Sequence, residues 1–545
     1  MKQVIALMVS CTVLAPMVAL AQHEQHGANA LDEIGAAHVK FETSCAPALR
    51  DDFNKGVALL HSFWFPQAVA AFEEVLKKDP TCTMAHWGIA LSSWGNPFAG
   101  IKNPKTVELT RVAIERAKTT AGSATPRERA FIDAVAQLTT DATPGTHAAR
   151  IAAYEAAMAK VSADYPSDQE AKMFYALAIN QTAPATDKTY AKQLKAAAIL
   201  EPLFEQMPDH PGLAHYIIHA YDTPPLAPKA LDAARRYASL APAVPHALHM
   251  PSHTFTRVGS WTESIETNRR SADAARKAGG PAGAGEELHA LDYQIYAYLQ
   301  LAQDTAAKGA LDRALSVVGG ADGIAAGAAG AGAYALAVMP ARYALERGKW
   351  AEAAALTPRP ANTPYTEAIT HFARAVGASR SGNPAAASAD IARLAELRDK
   401  LQSMQDAYWA EQVDIQRRVA QAWQTFAQGQ HDQGIKELIA AADAEDQTDK
   451  SAISPGPLAP ARELLGYMLL DAGRHKEAVA AFDATTKKEP NRFRGVHGAA
   501  RAAELAGDRA KATTYYKQLL EITKEADSER PEILAAKKYL AATGR

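Results

Sequence analysis

Near the C-terminus, "ARELLGYMLLDAGRHKEAVAAFDATTKKEPNRF" and "RGVHGAARAAELAGDRAKATTYYKQLL" fall into register when one is shifted by 34 residues. Gly466 then meets Ala500, Gly473 meets Gly507, Ala478 meets Ala512 and Phe482 meets Tyr516. A period of that length, with helical spacing inside it, marks an array of helical hairpins. Small residues let the two helices of a hairpin approach, a glycine ends the first helix, and an aromatic fills the space between neighbours. Pro490 stands where the second helix has to stop. A single hairpin cannot bury its apolar face, so the units must stack. The expected fold is all-α, an α-solenoid.

The same landmarks recur near the N-terminus as Gly56, Ala68, Phe72 and Pro80. Weaker copies stand at Gly259 with Trp261, Gly348 with Trp350, Gly382 and Gly429, so the middle is degenerate, and Asn268 occupies a place where an aromatic is usual. Two Gly/Ala-rich stretches, 277–287 and 319–333, read as loops or turns. "SAISPGPLAP" at 451–460 reads as an elbow before the last repeats. The division expected is N-terminal hairpins over 22–120, a degenerate region with a histidine-rich groove over 121–450, and C-terminal repeats over 451–545.

The chain opens with "MKQVIALMVSCTVLAPMVALAQ": one lysine, an apolar run and Ala19-Leu20-Ala21 as a small-x-small cleavage pattern. That is the form of a secretory signal peptide over 1–21, which predicts an exported, periplasmic or secreted protein. Cleavage removes Cys11 and leaves Cys45 and Cys82, a natural disulfide pair in an oxidising compartment, with two separate buried thiols as the alternative. Closing that loop would contribute about 3–4 kcal/mol. The formal charge of −2 and the lack of a basic tract argue against nucleic acid as a partner, and no stretch after the signal is apolar enough to span a membrane.

"HALHMPSH" at 246–253 places three imidazoles in eight residues, and "AHYIIHA" carries His215 and His219 four apart. Five of the 17 histidines fall between 215 and 253. On the repeat frame, His215 and His219 shifted by 34 land on His249 and His253, two i,i+4 pairs at equivalent places in consecutive first helices. Residues so spaced share one helix face about 6 Å apart, which lets paired histidines share a metal. His246 could join that face. The expectation is a concave patch of His215, His219, His246, His249 and His253, suited to zinc, copper, nickel or iron. Asp222, His289 and Asp292 are candidate supporting partners. Pro251 either kinks the helix between His249 and His253 or begins it. The alternative is that the histidines face a peptide or one another without metal. "HEQH" at 23–26 would bind copper or nickel only weakly, and the aromatic sets around His61 to Phe65 and His86 to Trp94 either pack the N-terminal hairpin or form a ligand cage. No Ser-His-Asp order, phosphate loop, dinucleotide loop or His-Glu-x-x-His is present.

The final repeats resemble tetratricopeptide (TPR) proteins. The phrases "LLHSFWFPQAVAAFEEVLKKDPTCTMAHWGIA", "AHYIIHAYDTPPLA", "HALHMPSHTFTRVGSW" and "NRFRGVHGAARAAELAGD" are similar to a family of exported bacterial TPR proteins. The resemblance implies the fold and the export, and binding of a protein, peptide or small ligand only by analogy. Two functions follow as expectations: a scaffold holding a protein, peptide or small molecule in its concave groove, or a metal-dependent hydrolase or oxidoreductase with Glu286 or Asp222 as general base.

Overall fold

A computed structural model describes residues 33–319, 330–358 and 363–543. The signal peptide expected at 1–21, the "HEQH" tract at 23–26 and residues 320–329 of the second Gly/Ala-rich stretch lie outside the described residues. Among those described, α-helices and short 3-10 turns make up all the regular structure. Each helix packs on the next in chain order, from Arg50–His61 to Pro531–Thr543. This is a TPR-like helical solenoid, as the period requires, and no described helix is long and apolar enough to cross a membrane.

The landmark residues do what the period asks of them at both ends. Phe72 is fully buried with its ring against Gly56 and Gly88, and a Cβ on Gly56 would come within 2.6 Å of it. Phe482 repeats this against Gly466 and Gly498 in the C-terminal hairpins. Two glycines from flanking helices thus admit one aromatic between them, which is close packing that a methyl would break. Gly473 and Gly507 take φ of 74° and 81° at the ends of first helices, a left-handed turn that glycine makes without a steric penalty. Cys45 and Cys82 are joined as a disulfide.

One expectation for the middle is corrected. Residues 277–287 do not form a loop: only Gly279 and Gly280, with φ of 68° and 66°, make the turn. The helix Trp261–Ala278 ends there and Gly280–Gln300 starts at once, with a proline in its first turn. Gly283 lies where a Cβ would sit 2.5 Å from the Ala275 carbonyl, so the glycines serve a tight helix crossing. The 451–460 elbow is irregular, as read.

The superhelix curls until its later repeats meet its middle. Trp261 Nε1 donates to the Asn491 carbonyl (2.9 Å), Phe493 N–H to Gln300 Oε1 (2.9 Å), and Tyr293 Oη to the Ser454 carbonyl (3.2 Å). Buried Arg492 reaches Glu463 (2.7 Å), Glu346 (2.8 Å) and the Tyr296 hydroxyl (3.1 Å). This contact closes what a straight solenoid would leave as an open groove.

Candidate metal centre

The helix Pro211–Ala220 carries His215 and His219. Helices Pro245–His249 and Pro251–Val258 carry His246, His249 and His253 and form the first arm of the next hairpin. Pro251 has no N–H, so the helix is interrupted at Met250. Met250 keeps helical angles (φ −53°, ψ −37°), its N–H donates to the His246 carbonyl, and His253 N–H donates to the Met250 carbonyl. The kink alternative therefore holds, and His249 and His253 stay on one face. Gly280–Gln300 adds His289, whose ring centroid lies 4.3 Å from that of His249.

These rings do not line an open concave wall. His215, His219, His249, His253 and His289 are buried, and the side chain of His246 is 12 % exposed. Closure of the superhelix is the reason. Tyr293 packs on His249, His253 and His289 beneath the elbow. From the N-terminal hairpin, Phe63 lies over His215 (4.4 Å between centroids), His246 (5.5 Å) and His219 (5.7 Å). Phe63 has φ of 55° where the Arg50–His61 helix ends, a left-handed position usually given to glycine and strained for a bulky residue. Its ring also lines an apolar cavity with Leu60, Leu91, Trp94 and Phe174.

Hydrogen bonds fix where three of the imidazole lone pairs point. His215 Nδ1–H donates to the His61 carbonyl (2.6 Å), free because its helix ends there, and leaves Nε2 as the acceptor. His249 Nδ1–H donates to Asn268 Oδ1 (2.7 Å), and the amide is oriented because Asn268 Nδ2 donates to the Ser264 carbonyl (2.7 Å). His253 Nδ1–H donates to Asp222 Oδ2 (2.9 Å). His249 Nε2 and His253 Nε2, each then a lone pair, face each other across 3.0 Å. Elsewhere, His215 Nε2, His219 Nε2, His246 Nε2 and His289 Nδ1 are buried without any hydrogen-bond partner. Ligating atoms of His215, His219 and His246 lie within 4.8 Å of one another, as do those of His249, His253 and His289.

Burial also disfavours the charged form of five of these rings. Desolvation pushes His215, His219, His249 and His289 well below the ordinary histidine value and lowers His253 despite Asp222. Burial alone would raise the Asp222 carboxyl, but Lys450, Arg257 and His253 outweigh it and hold it well below the carboxylate range. Arg257 Nε donates to its Oδ1 (2.9 Å). Neutral imidazoles with Nδ1 held by an oxygen acceptor are the form in which histidine ligates metals.

A third buried set, His61, Glu170 and His210, also has metal-like proximity, but its protons are already assigned. Gly212 N–H donates to His210 Nδ1 (3.2 Å), so Nε2 carries the hydrogen and donates to Glu170 (3.2 Å). His61 bridges Glu170 (2.9 Å) and the Tyr216 hydroxyl (2.8 Å). This is a satisfied hydrogen-bond network.

Of the residues expected to support the cluster, Asp222 does so. His289 is a member of the second triad, beyond a supporting place. Asp292 is corrected: its Oδ1 accepts from Arg342 Nε (3.0 Å), both side chains fully buried, and no hydrogen bond from it to a histidine is found among the described residues. Glu286 lies 3.9 Å from His246 Nδ1. Sequence reasoning missed the roles of Asn268 and of the His61 carbonyl, and singled out Phe63 only within the His61 to Phe65 aromatic set. Asn268 carried a signal as a polar residue in an aromatic place.

The fold and the buried cluster define a TPR-like solenoid enclosing six histidines. No protein-family model matches the chain, and no curated protein sequence does. Similar solved structures include a human IFIT1 dimer with m7Gppp-AAAA (13% identity, TM-score 0.37, covering 81% of this chain and 90% of that one). Yeast Tom70 (11%, 0.28, 90% and 88%) and an APC/C hetero-tetramer Cut9–Hcn1 (13%, 0.32, 90% and 90%) are also similar.

Proposed function

We propose that this protein is an exported TPR-like scaffold that binds a transition metal through His249, His253 and His289. The observation that carries it is the pair of Nε2 lone pairs 3.0 Å apart, with both Nδ1 hydrogens committed to Asn268 and Asp222. Two buried acceptors facing each other repel, and a proton between them would charge rings that burial keeps neutral. A cation between them removes the conflict. Three imidazoles leave one coordination position open, so a hydrolase or oxidoreductase built on this ion is a further step of the same proposal. Untagged protein from the exported fraction, assayed by mass spectrometry, should carry near-stoichiometric metal that is lost in His249→Ala/His253→Ala. Metal-free protein that gains no thermal stability from added zinc or copper rejects the reading.

A second reading, ligand binding in the scaffold, is favoured by a cleft lined by Arg257, Tyr334, Tyr365, Tyr408, Trp409 and Lys450. Tyr365 and Trp409 stack at 4.1 Å, and the buried Lys450 ammonium lies 3.5 Å from Asp222. An aromatic lining with a few charged groups is the kind that receives small molecules or peptide side chains. Native mass spectrometry should show a co-purifying species absent from Trp409→Ala; identical spectra reject it.

A further inference from the structure

We propose that His215, His219 and His246 hold a second ion, so that the six histidines form one dinuclear, all-imidazole centre. This rests on the reading of His249, His253 and His289 as a metal site and extends it.

In the first triad the Nε2 atoms of all three rings are buried without a hydrogen-bond partner, and one ligating nitrogen from each ring lies within 4.8 Å of those of the other two. A buried polar atom left without a partner is unfavourable. The rings do not satisfy one another: no hydrogen bond joins any pair of the three. His215 is fixed as an acceptor at Nε2 by the His61 carbonyl, and the Glu286 carboxylate lies 3.9 Å from His246 Nδ1. A cation coordinated by one nitrogen from each ring would satisfy the three at once.

The two triads are neighbours. Ring centroids of His219 and His253 are 6.0 Å apart, and those of His246 and His249 are 6.2 Å apart. The donor set selects among metals. Six neutral nitrogens, with the carboxylates of Asp222 and Glu286 one step removed, suit copper first and zinc next, and are poor for magnesium, calcium or manganese. Phe63 is held in a strained backbone position so that its ring covers all three histidines of the first triad. Strain of this kind persists where the surroundings over-determine it, and it gathers at functional sites.

The test titrates the metal-free, disulfide-intact, untagged chain with cupric ion and with zinc, counting bound ions by native mass spectrometry. Two ions per chain are expected, falling to one in His246→Asn and to one in His253→Gln. The copper form should show spin–spin broadening in electron paramagnetic resonance, replaced by an isolated cupric spectrum in His246→Asn. Circular dichroism checks that both variants fold; if either does not, the wild-type count and its broadening decide alone. One ion in the wild type, kept in His246→Asn and lost in His253→Gln, overturns the second ion and leaves the first site standing. No ion in the wild type overturns both.

Discussion

Asn268 Oδ1 accepts the Nδ1 hydrogen of His249 across 2.7 Å, from the helix position where a repeat of this type ordinarily carries an aromatic. The residue that makes the repeat look degenerate is the one that aims the imidazole. Local departure from a pattern at a functional site is the usual place for sequence rules to fail.

Replacing Asn268 by leucine should leave His249 Nδ1 unpaired in a buried place and cost about 1–3 kcal/mol in stability. Metal affinity should fall roughly 10–100-fold, as for other lost orienting partners. Asn268→Asp keeps the acceptor and should retain binding. Competition against a chromophoric chelator measures both, and equal affinity in the leucine variant would refute the role.

Acid should destabilise the metal-free protein. Histidines in the unfolded chain titrate near 6.5, whereas burial lowers His215, His219, His249, His253 and His289 in the fold. Below about pH 6.5 the unfolded chain therefore binds more protons, and stability from these groups, complete above that pH, is lost as pH falls. Melting temperature followed from pH 8 to 5 should be flat at first and then decline, less steeply in His215→Gln. A rise on acidification would contradict the assignment.

Phe63 occupies a left-handed position, so the usual order of small residues reverses. Phe63→Gly should be more stable than Phe63→Ala by about 1 kcal/mol, while both lose roughly 3–5 kcal/mol of ring packing. Both should expose the first triad, read as faster modification of His215 and His219 by diethyl pyrocarbonate. Unchanged modification rates would show that the ring shields nothing.

At the C-terminal end, Gly498→Ala should cost about 1–3 kcal/mol, because its methyl meets the Phe482 ring. Phe482→Ala should cost about 3–5 kcal/mol. The double variant should cost less than the sum of the two, since removing the ring makes room for the methyl. Urea unfolding decides, and strict additivity would contradict the packing described.

Much of this was legible beforehand, and unevenly. Gly466, Gly473 and Phe482 announce hairpins because a 34-residue period leaves few other ways to bury an aromatic. The i,i+4 pairs at His215 and His249 were visible as pairs, since helix geometry alone relates them. Their burial was not, because it depends on Tyr293 meeting Ser454 far along the chain, and no local pattern encodes how far a superhelix closes. The same holds for Arg342, which claims Asp292 across 50 residues. At 277–287 the glycine count suggested a loop, whereas two of those glycines turn the chain and Gly283 serves packing.

The elbow has a consequence for timing. Tyr293 holds it by its main-chain carbonyls, Asp449 pairs with Lys188 (3.0 Å), and Lys450 lies 3.5 Å from Asp222. Every histidine of the cluster precedes that segment in the chain. An ion bound there would be caged by that stretch, so its entry into the folded molecule would wait on the same local opening as its release. In the finished molecule, release would wait on unlatching of the elbow, and exchange would run at the rate of that local opening however weakly the ion is held.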